Sequence, residues 1–284
     1  AANTASSQDA YQRIVKQAQE ANIMFIIQQA NVRSSEKKSD AITALKEAMA
    51  NFSADTKNYG IENLEVSAYA SPDGATDLNE NLAGQREKNA KKYIQSEMKK
   101  SKLDIAVDSK YTAEDWDGFK TLVENSNIQD KDLILRVLSM YSDPEKRETE
   151  IKNLSAVYKE LADEILPQLR RARLTLNYQL IGRADDEINE AFNNNPAALS
   201  VEELLYAATL VADNAAKAEI YTKATELYAN DYRSFNNLGM ALYAQGKCSE
   251  AARCFAKALE LAPNCPNVNY NNGLIALCKK DIAK

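Results

Sequence analysis

The sequence predicts a two-part α+β protein, in which a β-sheet with helices on one face is followed by an all-helical repeat domain. Up to Leu180, short alternating apolar runs are separated by longer segments with apolar residues at three-to-four spacing. This pattern indicates strands separated by amphipathic helices. Beyond Gly182 only the helical pattern recurs. We therefore predict one domain at residues 1–182 and a second at residues 183–284.

Composition narrows the possible functions. With 284 residues and a net charge of −6, the chain has no basic excess to neutralise nucleic-acid phosphates, and no apolar run is long enough to span a membrane. Histidine is absent, which removes the usual general base and the usual metal ligand. No pair of acids stands out at a spacing suited to catalysis. We predict a binding protein, not an enzyme, with no cofactor and no metal.

The elements of the first domain are predicted in order. Residues 8–21 form a polar lead-in, helical or partly extended. The elements that follow are a strand at 23–27, a helix opened by Ser35 and Glu36 and closed at Asn58-Tyr59-Gly60, a strand at 61–70, a helix at 77–99, a strand at 103–108, a helical insertion at 112–166 and a closing strand at 174–180. Trp116 is assigned to the core of the insertion, with a ligand platform as the alternative.

Arg86 is the most unusual residue of this domain. The strand at 61–70 ends at the turn Ser71-Pro72-Asp73-Gly74, and the next helix carries an apolar stripe that includes Leu82 and Ala90. Arg86 falls on that stripe, where an arginine needs a partner. Either its stem packs on the core while its head reaches water or an acid such as Asp73 or Asp77, or its guanidinium binds an anionic ligand.

The same stretch resembles the peptidoglycan-associating domain of the OmpA family. The matching residues, with the family's spacing, are Ala68, Tyr69, Gly74, Asn79, Leu82 and Arg86. The resemblance covers roughly residues 22–110 and 168–182, and it implies a βαβαβ sheet with a closing strand.

In that family an arginine and an aspartate hold the diamino acid of the peptidoglycan stem peptide, and paired arginines introduce the closing strand. Arg86 matches the arginine, whereas Ser71 occupies the aspartate's position and the nearest acid is Asp73. Arg170 and Arg171 match the arginine pair; the alternative for these two is a solvated strand start. The resemblance thus implies a peptidoglycan site at Ser71, Asp73, Asn79, Arg86, Arg170 and Arg171.

Residues 232–265 resemble a tetratricopeptide repeat. The positions that fit are Phe235, Leu238, Gly239, Leu242, Gly246, Ala251, Phe255, Ala258 and Pro263. A degenerate unit precedes this repeat and the first helix of another follows it. Such arrays bind extended peptides, so we expect a protein partner in a groove lined by Asn236, Asn237, Asn271 and Asn272, unless these are plain solvent-facing positions.

The four cysteines of the chain, Cys248, Cys254, Cys265 and Cys278, all lie in the second domain. Their spacing contains no CxxC pattern, so a metal site is not expected. A pair could bridge in an oxidising compartment, and core packing is the alternative.

These observations together predict a non-catalytic protein of the cell envelope, periplasmic and associated with the outer membrane, that binds peptidoglycan and a protein partner. One alternative is an interaction scaffold whose OmpA-like domain has lost peptidoglycan binding, as Ser71 permits. An enzyme is the third alternative.

Overall fold

The computed structural model describes residues 3–282, except for the side chains of residues 155–157 and 278–282. The chain forms two units. One is the continuous stretch Ile14–Ile181, and the other combines the residues up to Arg13 with Gly182–Lys284. The first thirteen residues were predicted to belong to the sheet domain. That assignment is wrong for them, because they group with the helical unit, and Ser7 and Tyr11 hydrogen-bond to Asn237 and to the Arg183 carbonyl, more than 170 positions later in the chain.

The first unit, the sheet unit, is built on four strands. They are β1 (Ile14–Met24), β2 (Tyr59–Tyr69), β3 (Val107–Thr112) and β4 (Arg171–Ile181). Their order across the sheet is β1-β4-β2-β3. β4 pairs antiparallel with both β1 and β2, whereas β2 pairs parallel with β3. The sheet is therefore mixed, with β1 and β3 at its edges.

The helix predicted to close at Asn58-Tyr59-Gly60 ends earlier, at Ala54, because Tyr59 and Gly60 already belong to β2. Among the strands, β1 and β3 differ most from prediction. β1 ends at Met24, so it covers most of the predicted polar lead-in; Ile26 and Ile27 lie beyond it and are exposed. Eleven residues of β1 pair with β4. As an edge strand it is held mainly by backbone bonds and shows little apolar alternation. β3 begins at Val107 instead of residue 103, because the parallel register aligns Leu64 with Val107.

Two helices, α1 (Asp40–Ala54) and α2 (Thr76–Lys100), cover one face of the sheet. Their apolar stripes meet the inward residues of the strands in one core. Its fully buried members include Ile23, Ile42, Leu45, Met49, Leu64, Val66, Ala90, Ile94, Leu174 and Leu176. This is the arrangement of strands and amphipathic helices that the periodicity predicted.

The insertion between β3 and β4 is helical and has its own core. Its helices are α3 (Trp116–Glu124), α4 (Lys131–Met140), α5 (Pro144–Asn153), α6 (Ser155–Glu160) and α7 (Leu166–Leu169), with a π-helical turn at Leu161–Ile165. Asp143 caps α5 by accepting from the Lys146 amide, and Pro144 occupies the first helical position. Trp116 packs against this core, edge-on to Phe119.

From Gly182 onward, the described residues of the second unit, the repeat unit, form helices joined by loops. The α-helices are α8 (Asp185–Asn194), α9 (Val201–Ala207), α10 (Asn214–Leu227), α11 (Tyr232–Ala244), α12 (Cys248–Leu261) and α13 (Pro266–Ile282), with a 3-10 turn at Pro196–Ala198. In α11, a Cβ on Gly239 would lie 2.6 Å from the Phe255 ring, so the close approach of α11 and α12 requires glycine. Cys254 packs against this unit's core, while the side chain of Cys278 lies outside the described residues.

Candidate functional site

The turn that follows β2 brings together most of the residues predicted for the first site. Ser71 is buried, and Gly74 has a φ of 121°, a conformation that favours glycine. The Gly74 amide donates to Glu148 of the insertion at 2.6 Å, and the Asn79 side chain donates to the Gly74 carbonyl at 3.3 Å. Asn79 therefore holds the turn from the first part of α2, so its visible role is to shape the site.

Arg86 lies deeper, with 1% of its surface exposed. Its Nε donates to Gln29 O at 3.0 Å, Nη1 to Tyr69 O at 2.9 Å and Nη2 to Ile26 O at 3.3 Å. Burial, and next the charge of Arg170, lowers the pKa of Arg86 to about 10. Three of its five N–H donors are thus committed to the backbone of its own unit.

Arg170 is paired with the acid of the turn, Asp73. Its Nε donates to Ser71 Oγ at 3.2 Å and its Nη2 to Asp73 Oδ2 at 3.3 Å. Asp73 Oδ1 is buried without a hydrogen-bond partner. These residues line a cavity of about 220 Å³, whose lining also includes Asn79, Arg86, Lys152 and Tyr158. The structure therefore brings together five of the six predicted peptidoglycan residues.

Arg171, the sixth, lies elsewhere. Its Nη2 is 2.9 Å from Asp115 Oδ2, and its guanidinium lies 4.4 Å from the centre of the Tyr69 ring. It lines a separate cavity of about 620 Å³ that also contains Lys110 and Arg173. Neighbouring residues at the start of a strand point to opposite faces, which is why the arginine pair is divided between two cavities.

In the repeat unit, two asparagines bind an extended stretch of the chain's own beginning, residues 3–11, which we call the leading segment. Asn271 accepts from the Ala5 amide and donates to the Ala5 carbonyl, both at 2.8 Å. Asn237 does the same for Ser7, at 2.9 and 2.8 Å. Each side-chain amide thus pairs with one backbone residue through a donor and an acceptor.

Asn236 joins the two pairs. It donates to Ala5 O at 3.0 Å and Ser7 Oγ at 3.1 Å, and its own oxygen accepts from Asn271 at 2.8 Å. Asn267 donates to Ser6 O. We call the surface formed by Asn236, Asn237, Asn267 and Asn271 the amide groove. Its members at 236, 237 and 271 are buried beneath the leading segment.

Charged residues hold the rest of the leading segment. Glu202 accepts from the Ala10 amide at 2.6 Å, and Arg233 lies between Glu202 and Asp231 while it reaches Gln8 O. Hydrogen bonds from Arg233 lower the pKa of Glu202. Those with Asp231 and Glu202 raise the pKa of Arg233.

Asn272 does not belong to the groove. Its side chain donates to the carbonyls of Phe255 and Val268 and so joins α12 to α13. Its predicted place among the groove residues is therefore corrected: it follows Asn271 by about 100° around the helix and faces the neighbouring helix.

Sequence reasoning missed Asn267, Arg233 and Glu202 as groove residues. One signal for them was available. Asn237 and Asn271 are separated by one repeat length, and so are Arg233 and Asn267. Repeated positions on successive units face the same side of the array, so polar residues recurring at that interval mark one surface.

Comparison with known proteins supports the repeat assignment. Residues 232–265 match the family model described as tetratricopeptide repeat. No OmpA-family match is found, and a search of curated proteins gives no match. The class of this region is thus a tetratricopeptide-type repeat, a class that indicates protein–protein interaction.

The described residues contain no group of three or more acidic or cysteine side chains placed to hold a metal ion. Within the same part of the chain, no helix has the length and apolarity to cross a bilayer.

Proposed function

We propose that this chain is a non-catalytic binding protein whose repeat unit holds an extended segment of a protein partner in the amide groove. The observation that carries the proposal is the double hydrogen bond made by Asn237 to Ser7 and by Asn271 to Ala5. An amide side chain that donates to and accepts from the main chain of one residue recognises the backbone, as a neighbouring strand does in a sheet. The groove therefore suits an extended polypeptide.

A peptide titration tests this function. The probe is a fluorescein-labelled peptide with the sequence of residues 3–12, NTASSQDAYQ, added to the chain that lacks residues 1–10. Binding should raise the anisotropy of the probe. Asn237→Asp should abolish most of it, because a carboxylate replaces the donor that meets the Ser7 carbonyl. The exposed Asn195→Asp is the matched control. Failure of the folded, shortened chain to bind would contradict the proposal.

A second function is proposed for the cavity of the sheet unit, namely binding of the peptidoglycan stem peptide. The resemblance to the OmpA family motivates it, and Asp73 gives it a local argument. A buried carboxylate oxygen without a donor is costly, and an ammonium group of a ligand would supply that donor. Arg170 lies beside it to bind a carboxylate, so the two would bind the amine and acid ends of a diamino acid.

Calorimetric titration with a diaminopimelate-containing muropeptide separates the possibilities. Asp73→Asn and Arg170→Ala should each weaken binding at least tenfold. Asp77→Asn, an exposed change in the first turn of α2, is the control and should leave binding intact. Absence of binding by the unaltered chain would favour the alternative of a scaffold that has lost peptidoglycan binding.

The proposed location is the periplasm, in association with the outer membrane. Cell fractionation with an antibody against the chain tests this assignment. Turnover of any peptidoglycan fragment by the purified chain would contradict the proposal that the protein is not an enzyme.

A further inference from the structure

We infer that the leading segment is a resident competitor for the amide groove, and that the groove selects extended segments with a small side chain at the Ser7 position. This inference rests on the proposed function of the groove. It adds that the leading segment occupies the groove, and it states which kind of partner segment can displace it.

The fit of Ser7 supplies the selectivity. Ser7 keeps 6% of its surface exposed, and its Oγ accepts from Asn236. Its neighbours Ser6 and Gln8 are exposed, as expected for alternate residues of an extended segment. A large side chain at position 7 would enter the space held by Asn236 and Asn237. The same change at position 6 would project into solvent.

The backbone contacts make the segment replaceable. Asn237, Asn271 and Asn267 bond main-chain groups of the leading segment, which every amino acid except proline presents in full. Any extended segment with a small residue at the central position can therefore make these bonds. The groove therefore recognises the size of the central residue and the spacing of main-chain groups. The Ser7 hydroxyl is the one side-chain group of the segment that accepts a hydrogen bond from the groove asparagines.

The tether of the leading segment makes it an effective competitor. Tyr11 donates to Arg183 O at 2.5 Å, and Gly182 donates to Arg13 O at 2.6 Å, so the segment is held next to the helices that bind it. A short tether gives an effective concentration on the order of 1 mM, which weakens a free peptide with an intrinsic Kd of about 10 µM roughly a hundredfold. A partner segment must therefore bind the groove more tightly, or be present at a higher effective concentration, than the leading segment.

A comparison of full-length variants tests the inference. Ser7→Trp should eject the leading segment and leave the groove free, whereas the matched Ser6→Trp should leave the segment bound. With the labelled NTASSQDAYQ peptide as probe, we expect Ser7→Trp to bind at least tenfold tighter than the unaltered chain or Ser6→Trp. Two altered peptides are then added to the Ser7→Trp chain. The peptide with tryptophan at the Ser7 position should not bind, and the peptide with tryptophan at the Ser6 position should bind.

The outcomes are distinguishable from failure of the proposed function. If the chain lacking residues 1–10 binds the probe and the unaltered chain binds it equally well, the groove is a peptide site and the competitor role is overturned. If both probe peptides with tryptophan bind alike, the size selectivity is overturned. If neither the shortened chain nor Ser7→Trp binds while circular dichroism shows both folded, the proposed function fails and the inference falls with it.

Discussion

The cavity of the sheet unit and the amide groove both contain buried polar side chains bonded to backbone groups, yet they differ in which backbone they bind. Arg86 donates to carbonyls on two fixed parts of its own unit, the end of β2 and the loop that follows β1. Asn237 and Asn271 bond one short segment, residues 3–11, that is not part of any helix of the unit. The first arrangement stabilises a fold, whereas the proposed function requires the second to open. Burial alone does not separate a structural polar residue from a binding residue.

The largest effect on stability that would test this difference is expected for substitution of Arg86. Arg86→Ala removes a fully buried side chain, takes the donor from three backbone carbonyls and removes the guanidinium contact with the Phe25 ring. We expect the free energy of unfolding of the sheet unit to fall by about 3 kcal/mol or more. Urea denaturation followed by circular dichroism measures it, with exposed Lys88→Ala as control. A loss below about 1 kcal/mol would show that Arg86 is dispensable for the fold.

A smaller and local effect is expected at Asn237. Asn237→Asp in the intact chain should release the leading segment at a cost of about 1–3 kcal/mol, because the Ser7 carbonyl loses its donor. Hydrogen exchange should then accelerate at residues 5–10 and remain unchanged in the sheet unit. Equal acceleration in both units would mean that the groove contact supports the whole fold.

Acid should release the other end of the leading segment. The pKa of Glu202 is lowered chiefly by its hydrogen bonds with Arg233 and further by the hydrogen bond from the Ala10 amide, whereas the charge of Asp231 opposes this shift. Because the pKa of Glu202 is lowered in the folded state, its charge stabilises that state fully at pH values above the ordinary glutamate range. This contribution is lost as the pH falls through the lowered pKa. Protease sensitivity of residues 3–11 should rise over that acidic window. In the Glu202→Gln variant, residues 3–11 should be protease-sensitive already at neutral pH, and this sensitivity should no longer depend on pH.

The smallest effect is expected at Ser234 in α11. It is fully buried, and its Oγ has no hydrogen-bond partner. Ser234→Ala removes a desolvated hydroxyl, so the free energy of unfolding should stay within about 0.5 kcal/mol or rise slightly. Thermal denaturation checks this. A clear loss of stability would reveal a hydrogen bond that Ser234 makes in solution.

The sequence predicts local features of this fold well. Turn chemistry at Asp73-Gly74, the capping residue Asp143 and the closing strand β4 all follow from short-range patterns. Periodicity also predicted the apolar stripes of α1 and α2. The edge strand β1 was misplaced because backbone pairing with β4 leaves little trace in its side chains.

The sites were harder to predict because their partners are distant in sequence. The position of Arg86 on the apolar stripe indicated that it needs a partner, but the carbonyls of Ile26 and Gln29 carry no sequence signal. The same is true of the leading segment, because main-chain groups make most of its bonds to the asparagines. Asn237 and Asn271 lie one repeat length apart, so the repeat pattern places both on one face. Asn272 is adjacent to Asn271 but faces the neighbouring helix.

The antiparallel pairing of β1 with β4 has a consequence for the order of folding. Ser7 and Asn237 are 230 residues apart along the chain, and closing so long a loop is entropically unfavourable. The register places Ile14 opposite Ile181, so a folded sheet unit already brings the two flanking residues, Arg13 and Gly182, together. The remaining loop to Asn237 is then only about a quarter as long. Folding of the sheet unit first would therefore lower the entropic cost of bringing the leading segment to the groove.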